Sequence, residues 1–175
     1  MEKLESYVIS IPDYPKKGIL FRDITGILGS ADGLHLAIDE LADRLDGVEF
    51  DAIVSMESRG FIFGMPLAYR LHKPFVPVRK PGKLPRDTVS ATYELEYGTD
   101  SLEMHRDALK PGARVVVVDD LLATGGTASA CISLVESLGA KVSKLLFVME
   151  LAGFAARAKK LAGYDVDALI SYPGT

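Results

Sequence analysis

Val115-Val116-Val117-Val118-Asp119-Asp120-Leu121-Leu122-Ala123-Thr124-Gly125-Gly126-Thr127 is the stretch on which the fold turns. Four β-branched apolar residues in succession leave no polar face. They predict a strand buried on both sides, as in a parallel sheet covered by helices. Two carboxylates stand where that strand is expected to end, and a short turn with two glycines between threonines follows. Cys131, Leu134, Val135 and Leu138 recur at i, i+3, i+4 and i+7, so a helix with one apolar stripe begins at once and stops at Gly139. Strand, small-residue turn and helix N-terminus together make an anion cradle. Backbone N–H groups converge on one spot, and glycine lets a phosphate come close to the main chain.

The acid pair Asp119-Asp120 sharpens this reading, because carboxylates just upstream of a phosphate loop can accept hydrogen bonds from ribose hydroxyls. No Gly-x-x-x-x-Gly-Lys-Ser/Thr loop is present, and no Gly-x-Gly-x-x-Gly follows a strand. A mononucleotide site fits better than either of those classes.

Outward from this stretch, apolar runs alternate with helical spacing. Leu34, Ile38, Leu41, Ala42 and Leu45 predict an amphipathic helix, and Ala52-Ile53-Val54 a short buried strand. Gly60 to Leu71 predicts a helix despite Pro66, and Phe75-Val76-Pro77-Val78 the next strand. After the central helix come a strand at Leu145-Leu146-Phe147-Val148, a short helix from Ala155 to Leu161, and a strand at Ala168-Leu169-Ile170. Such alternation means βαβ units and a parallel sheet. Thr88 to Leu109 departs from it: Val89, Ala91, Tyr93, Leu95 and Tyr97 alternate with polar residues ahead of a turn at Tyr97-Gly98-Thr99-Asp100. That predicts an antiparallel hairpin with one wet face, added to the core and weakly anchored enough to act as a mobile flap.

A chain of 175 residues is expected to form one domain. Its 48% hydrophobic and 25% charged residues are ordinary for a soluble globular protein. No apolar run approaches the ~20 residues of a membrane helix, and Met1-Glu2-Lys3-Leu4-Glu5 is too charged for a secretory signal. The lone Cys131, on an apolar helix face, suits a reducing compartment, and the expected location is the cytoplasm. A net charge of −4 argues against a nucleic-acid partner. Arg79, Lys80, Lys83 and Arg86 nevertheless cluster, which suggests a small anionic ligand, although a solvated basic loop would read the same way. His35, His72 and His105 are scattered without metal-ligand spacing. Glu57-Ser58-Arg59-Gly60-Phe61 follows a strand and opens a helix, at the sheet edge where α/β proteins bind ligands. Taken alone it is equally compatible with a surface arginine capping a turn.

The central stretch resembles the phosphoribosyl-pyrophosphate signature of the type I phosphoribosyltransferases: an apolar strand, two acids, then Ala-Thr-Gly-Gly-Thr. Asp13-Tyr14-Pro15-Lys16-Lys17-Gly18-Ile19-Leu20-Phe21-Arg22-Asp23, the Glu57–Phe61 motif, Pro77-Val78-Arg79-Lys80-Pro81-Gly82-Lys83-Leu84-Pro85 and Tyr93-Glu94-Leu95-Glu96-Tyr97-Gly98 are similar, in the same order, to its adenine-using members. The resemblance covers nearly the full length. It implies the α/β fold of that family: a central parallel sheet flanked by helices, a flexible antiparallel hairpin flap and a small N-terminal hood. Within a single domain over residues 1–175, the hood would occupy about residues 1–33 and the basic loop with the flap about 79–109.

The resemblance also implies the chemistry. The 5-phosphoribosyl group of phosphoribosyl pyrophosphate would pass to N9 of adenine, giving AMP and pyrophosphate. Asp119 and Asp120 would hold the ribose hydroxyls, and Ala123, Thr124, Gly125, Gly126 and Thr127 the 5′-phosphate. Ser58 and Arg59 would belong to a pyrophosphate loop with a cis Glu57–Ser58 peptide. Arg79, Lys80 and Lys83 would neutralise the leaving pyrophosphate, with a cation from this run reaching a neighbouring subunit, so a homodimer is expected. Leu20, Phe21 and the Arg22 main chain would hold adenine, with Leu151 on its other side. Read without the resemblance, Phe21 would simply plug the core. Glu96 and Arg59 are implied at the reaction centre. Magnesium would travel on pyrophosphate and ribose oxygens, with no protein metal site. A hypoxanthine- or xanthine-type transferase, or a regulator that binds phosphoribosyl pyrophosphate without turnover, remains as an alternative. Leu20-Phe21-Arg22 speaks against the former, and the lack of an added DNA-binding segment against the latter.

Overall fold

The four valines lie at the centre of the molecule, each with no exposed surface, in a computed structural model that describes residues 3–94 and 98–174. Burying a side chain of this size is worth about 1.5–3 kcal/mol relative to leaving it in water. From the N-terminus, a 3₁₀ turn (Leu4–Tyr7) leads into an antiparallel hairpin of β1 (Ile9–Pro12) and β2 (Leu20–Asp23), followed by α1 (Thr25–Leu28) and α2 (Ala31–Asp43). The segments β3 (Ala52–Met56), α3 (Arg59–Arg70) and β4 (Phe75–Val78) form a βαβ unit. A second antiparallel hairpin, β5 (Thr88–Glu94) and β6 (Thr99–His105), precedes β7 (Arg114–Leu122), α4 (Gly126–Ser137), β8 (Lys141–Ala152), α5 (Ala155–Lys160) and β9 (Val166–Pro173).

Five strands form one parallel sheet in the order β4-β3-β7-β8-β9. Alternation along β7 divides the core in two. Val115 and Val117 pack with Cys131, Leu134 and Val135 of α4, whereas Val116 and Val118 pack with Ile38 and Leu41 of α2 and Phe63 and Leu67 of α3. Helices therefore cover both faces, as the uninterrupted valine run requires. Helix α2 starts where the Ser30 side chain accepts the Gly33 N–H at 3.1 Å, so a capping serine sets its first turn ahead of the apolar stripe.

Several elements run further than the hydrophobic pattern predicts. β7 continues through Asp119 and Asp120 to Leu122, with Asp119 opposite Phe147 and Leu121 opposite Met149 on β8. The acids thus lie within the strand and not beyond its end. Strict alternation lapses across them, because Leu122 joins the cluster of Val115 and Val117. β8 extends to Ala152 and carries Leu151, and β9 extends to Pro173. Ladder hydrogen bonding propagates along a paired neighbour whether or not the side chains are apolar, so polar strand ends escape a pattern based on hydrophobicity.

The two appendages are better anchored than expected. In the β5–β6 hairpin, Leu102 and Met104 are buried in the α4-side core and Val89, Ala91 and Tyr93 pack against it. Residues 95–97, between the two strands, lie outside the described residues. In the hood, Leu4, Ile24 and Ile27 are buried with α2 and α3, while Ile9, Ile19 and Leu20 of the β1–β2 hairpin remain exposed. Among the described residues, no helix is long and apolar enough to cross a membrane.

Candidate active site

The strand order reverses direction between β3 and β7: the chain moves outward from β3 to β4 on one side, and from β7 through β8 to β9 on the other. Loops leaving the carboxyl ends of two such strands diverge and open a crevice. A cavity of about 380 Å³ occupies it, lined by Ser58, Arg59, Lys80, Asp119, Asp120 and the turn Ala123, Thr124, Gly125, Gly126 and Thr127. A second cavity of about 160 Å³ lies between Leu20, Phe21 and Arg22 of the hood and Leu151 and Pro173 of the sheet. Leu121 lines both, so the two cavities share a wall one residue beyond the acid pair.

Gly125 caps α4 with φ of +76°, a left-handed conformation that a β-branched residue adopts only with strain. No side chain caps this helix, so its first-turn N–H groups face the cavity end without a side-chain acceptor. α5 braces the turn from behind: a Cβ on Gly125 would stand 3.4 Å from Arg157 Cγ and 3.5 Å from Leu161 Cδ1.

Asp120 is 4% exposed, and its Oδ2 receives Arg59 Nε at 2.9 Å. Asp119 Oδ1 accepts the Asp120 main-chain N–H at 2.9 Å. Burial first, and the adjacent Asp120 charge second, hold the Asp119 carboxyl well above the usual carboxylate range, against a weaker pull from Arg59. Gly60 is required beside it, since a Cβ there would stand 2.8 Å from Asp119 Oδ1. The motif glycine after Arg59 therefore lets the first turn of α3 close on the acid.

The basic side is organised by a residue not singled out as functional in the sequence, Glu57. Its carboxylate accepts the Lys80 main-chain N–H at 2.5 Å and faces Arg79 Nη2 at 3.4 Å. Burial pulls the Glu57 carboxyl up, but these two donors outweigh it and hold it below the ordinary range. The Glu57–Ser58 peptide is cis. Lys80 Nζ is paired with Asp100 on β6 and lies 3.0 Å from the Tyr93 hydroxyl, which also reaches Asp100 at 3.1 Å. Desolvation lowers the Lys80 pKa, and Asp100 and Tyr93 overcome it to raise it.

The remaining expected residues lie apart from this cavity. Arg79 turns to Glu57 and to the Lys83 carbonyl of its own chain, and the Lys83 side chain is exposed. Glu96 falls outside the described residues. The Arg22 side chain donates to Ser10 Oγ and stacks 3.9 Å over the Tyr172 ring, while Phe21 meets Tyr14 edge-on at 5.2 Å. Leu121 stood within the quoted stretch, and Tyr93 within the hairpin motif. Neither carries a chemical signal in sequence that distinguishes it from a packing residue.

The phosphoribosyl transferase domain family matches residues 28–168. Adenine phosphoribosyltransferase of Agathobacter rectalis is 61% identical over 174 residues, 99% of each chain, and that of Lachnoclostridium phytofermentans is 55% identical over the same extent. This chain belongs to the adenine phosphoribosyltransferase branch of that family.

Solved structures of that family superpose closely. The crystal structure of adenine phosphoribosyltransferase from Thermoanaerobacter pseudethanolicus gives a TM-score of 0.92 at 56% identity, covering 97% of this chain and 98% of that one. The Saccharomyces cerevisiae adenine phosphoribosyltransferase, solved with an imino-altritol bisphosphate and adenine, gives 0.87 at 42% identity over 95% and 96%. The sheet, hairpin and hood described above are therefore the type I phosphoribosyltransferase fold, as the central stretch predicts.

Proposed function

We infer that this chain transfers the 5-phosphoribosyl group of phosphoribosyl pyrophosphate to N9 of adenine, releasing pyrophosphate and forming AMP in purine salvage. The observation that carries this is the shared Leu121 wall. It sets a polar cavity with an acid pair and a glycine turn beside an apolar slot of the size and character of a base site.

The residues take these parts. The Ala123–Thr127 turn holds the 5′-phosphate on its main-chain N–H groups, at the positive end of α4. Asp119 and Asp120 bind the ribose hydroxyls beside C1′, the Asp119 carboxyl holding its proton above the usual carboxylate range. Arg59, already aligned by Asp120, and Ser58 face the departing pyrophosphate together with Lys80. Electrostatic preorganisation of this kind needs no reorientation at the moment of bond cleavage. Adenine lies between Phe21 and Leu151, with its edge read by main-chain groups near Arg22. Glu96 lies outside the described residues and is assigned to the reaction centre; support comes from β5, which delivers the chain to the glycine turn, with Glu94 O 3.6 Å from where a Cβ on Gly126 would stand.

Magnesium fits as a companion of the substrate. One oxygen of Asp120 is committed to Arg59, so the acid pair is not a free ligand set for an ion. Carried in with phosphoribosyl pyrophosphate beside Asp119 and Asp120, the ion would supply charge neutralisation of the leaving group. A homodimer is supported by the outer face of α3, where Ile62, Met65 and Tyr69 are exposed, Tyr69 by 87%. Arg79 or Lys83 would then serve the neighbouring site. A cytoplasmic location agrees with the buried, reduced Cys131.

Incubation with phosphoribosyl pyrophosphate, magnesium and each purine base in turn tests the reading. Adenine should exceed hypoxanthine and guanine by at least about 100-fold in kcat/KM, because a pocket of fixed donors and acceptors leaves buried groups unpaired against the wrong base. Comparable values for adenine and hypoxanthine would refute it.

A further inference from the structure

Helix α5 carries two cations toward the glycine turn, and they are treated differently. Arg157 is consumed by its own chain, with Nη2 2.9 Å from Glu150 Oε2 and Nη1 donating to the Leu151 carbonyl at 3.1 Å. Lys160 has no ion pair or hydrogen bond among the described residues. Its Nζ lies 3.8 Å from the point where a Cβ on Gly126, the first residue of α4, would stand. An ammonium at the positive end of a helix is repelled by the helix dipole, so this placement is unfavourable unless an anion lies between them. The turn brings no charged side chain of its own, and the Thr124 and Thr127 hydroxyls are also without partners among the described residues. The turn and α5 are held in register by Arg157 Cγ and Leu161 against Gly125, which fixes where the Lys160 stem begins.

We propose that Lys160 is a further ligand of the 5′-phosphate, closing the Ala123–Thr127 turn from the α5 side and supplying the countercharge that the turn lacks. This rests on the assignment of the turn to the 5′-phosphate. A phosphate monoester carries roughly −1.5 to −2 charges near neutral pH, more than neutral main-chain donors alone would balance. Main-chain N–H groups set its position, and the mobile ammonium adds charge without imposing geometry.

Calorimetric titration of AMP and adenosine into wild-type, Lys160→Ala and Lys160→Arg protein tests the proposal, because the two ligands differ only in the phosphate. Lys160→Ala should weaken AMP about 10-fold and leave adenosine unchanged, as loss of one charge-assisted contact would do. Lys160→Arg should keep most of the AMP affinity, and Lys159→Ala should match wild type. Unchanged AMP affinity in Lys160→Ala overturns the proposal, and so does an equal loss for AMP and adenosine, which marks a structural role. Gly125→Val, titrated in parallel, separates the two levels. If it weakens AMP while Lys160→Ala does not, only the lysine assignment fails; if neither variant weakens AMP, the assignment of the turn fails with it.

Discussion

The acidic and the basic walls of the main cavity face each other but are built on opposite terms. Asp119, Asp120 and the glycine turn lie along and just beyond the carboxyl end of β7, the central strand of the sheet, with their geometry set by main-chain N–H groups, by Gly60 and by Arg59. The basic wall is held by its own carboxylates: Arg79 by Glu57, and Lys80 by Asp100, on side chains that are 32–38% exposed apart from Glu57 at 15%. Ion pairs this open to water are worth at most about 1 kcal/mol and exchange readily. One wall is therefore fixed by main-chain geometry, and the other by side-chain ion pairs that pair its cations within the chain.

The largest effect should come from disturbing the acidic wall at its backbone. Gly125→Val puts a β-branched residue at φ of +76° and pushes against Arg157 and Leu161. The kcat/KM for phosphoribosyl pyrophosphate should fall by more than about 100-fold in protein that circular dichroism shows to be folded, since a small misplacement of the binding turn is that costly. Near-normal kinetics would mean that the turn is not preorganised for phosphate.

Asp119→Asn should separate stability from function. The folded Asp119 carboxyl keeps its proton to higher pH than the unfolded chain, whose ordinary value is 3.8. Below that value both states are protonated and no penalty arises; as pH rises, deprotonation of the unfolded chain favours unfolding. The asparagine variant, which retains the acceptor for the Asp120 N–H, should show a higher Tm at pH 7 and a smaller gain at pH 4. Its kcat/KM should drop by about 10–100-fold, as the loss of one hydrogen bond worth about 1.5–3 kcal/mol would do. A lower Tm at pH 7 would show that the acid is stabilised in its charged form.

Releasing the basic wall should do less. Asp100→Ala frees Lys80 and should lower the KM for phosphoribosyl pyrophosphate by no more than about 5-fold, the ceiling for an exposed pair. A raised KM would mean that Asp100 positions Lys80 for the pyrophosphate and does not compete with it. Smallest of all, Cys131 should resist iodoacetamide in native protein, because full burial pushes its thiol up and keeps it protonated. Labelling measured by mass spectrometry should match wild-type unfolding; rapid labelling would show that the α4 side of the core opens.

Legibility in the sequence followed the same division. The valine run, the acid pair and the glycine turn are contiguous and make one local unit, so their chemistry could be read in order. The roles of Glu57, Asp100 and Leu121 depend on contacts across 23, 20 and about 30 positions of chain, for Lys80–Glu57, Lys80–Asp100 and Leu121–Leu151. The anchoring of the β5–β6 hairpin was hidden for a related reason. Alternation identified a hairpin, but Leu102 and Met104 could be placed in the core only once α4 lay against them.

Sequence alone therefore determined the parallel α/β core, the glycine turn at the start of α4 and, through the ordered motifs, the family. Each of these is encoded by neighbouring residues whose spacing dictates backbone form. Tertiary structure decided the pairing of charges: which cations face the cavity, which are already neutralised, and that Lys160 stands beside the turn without a partner among the described residues. A charged side chain reads the same in sequence whether paired or free, and only the folded chain brings its distant partner within reach.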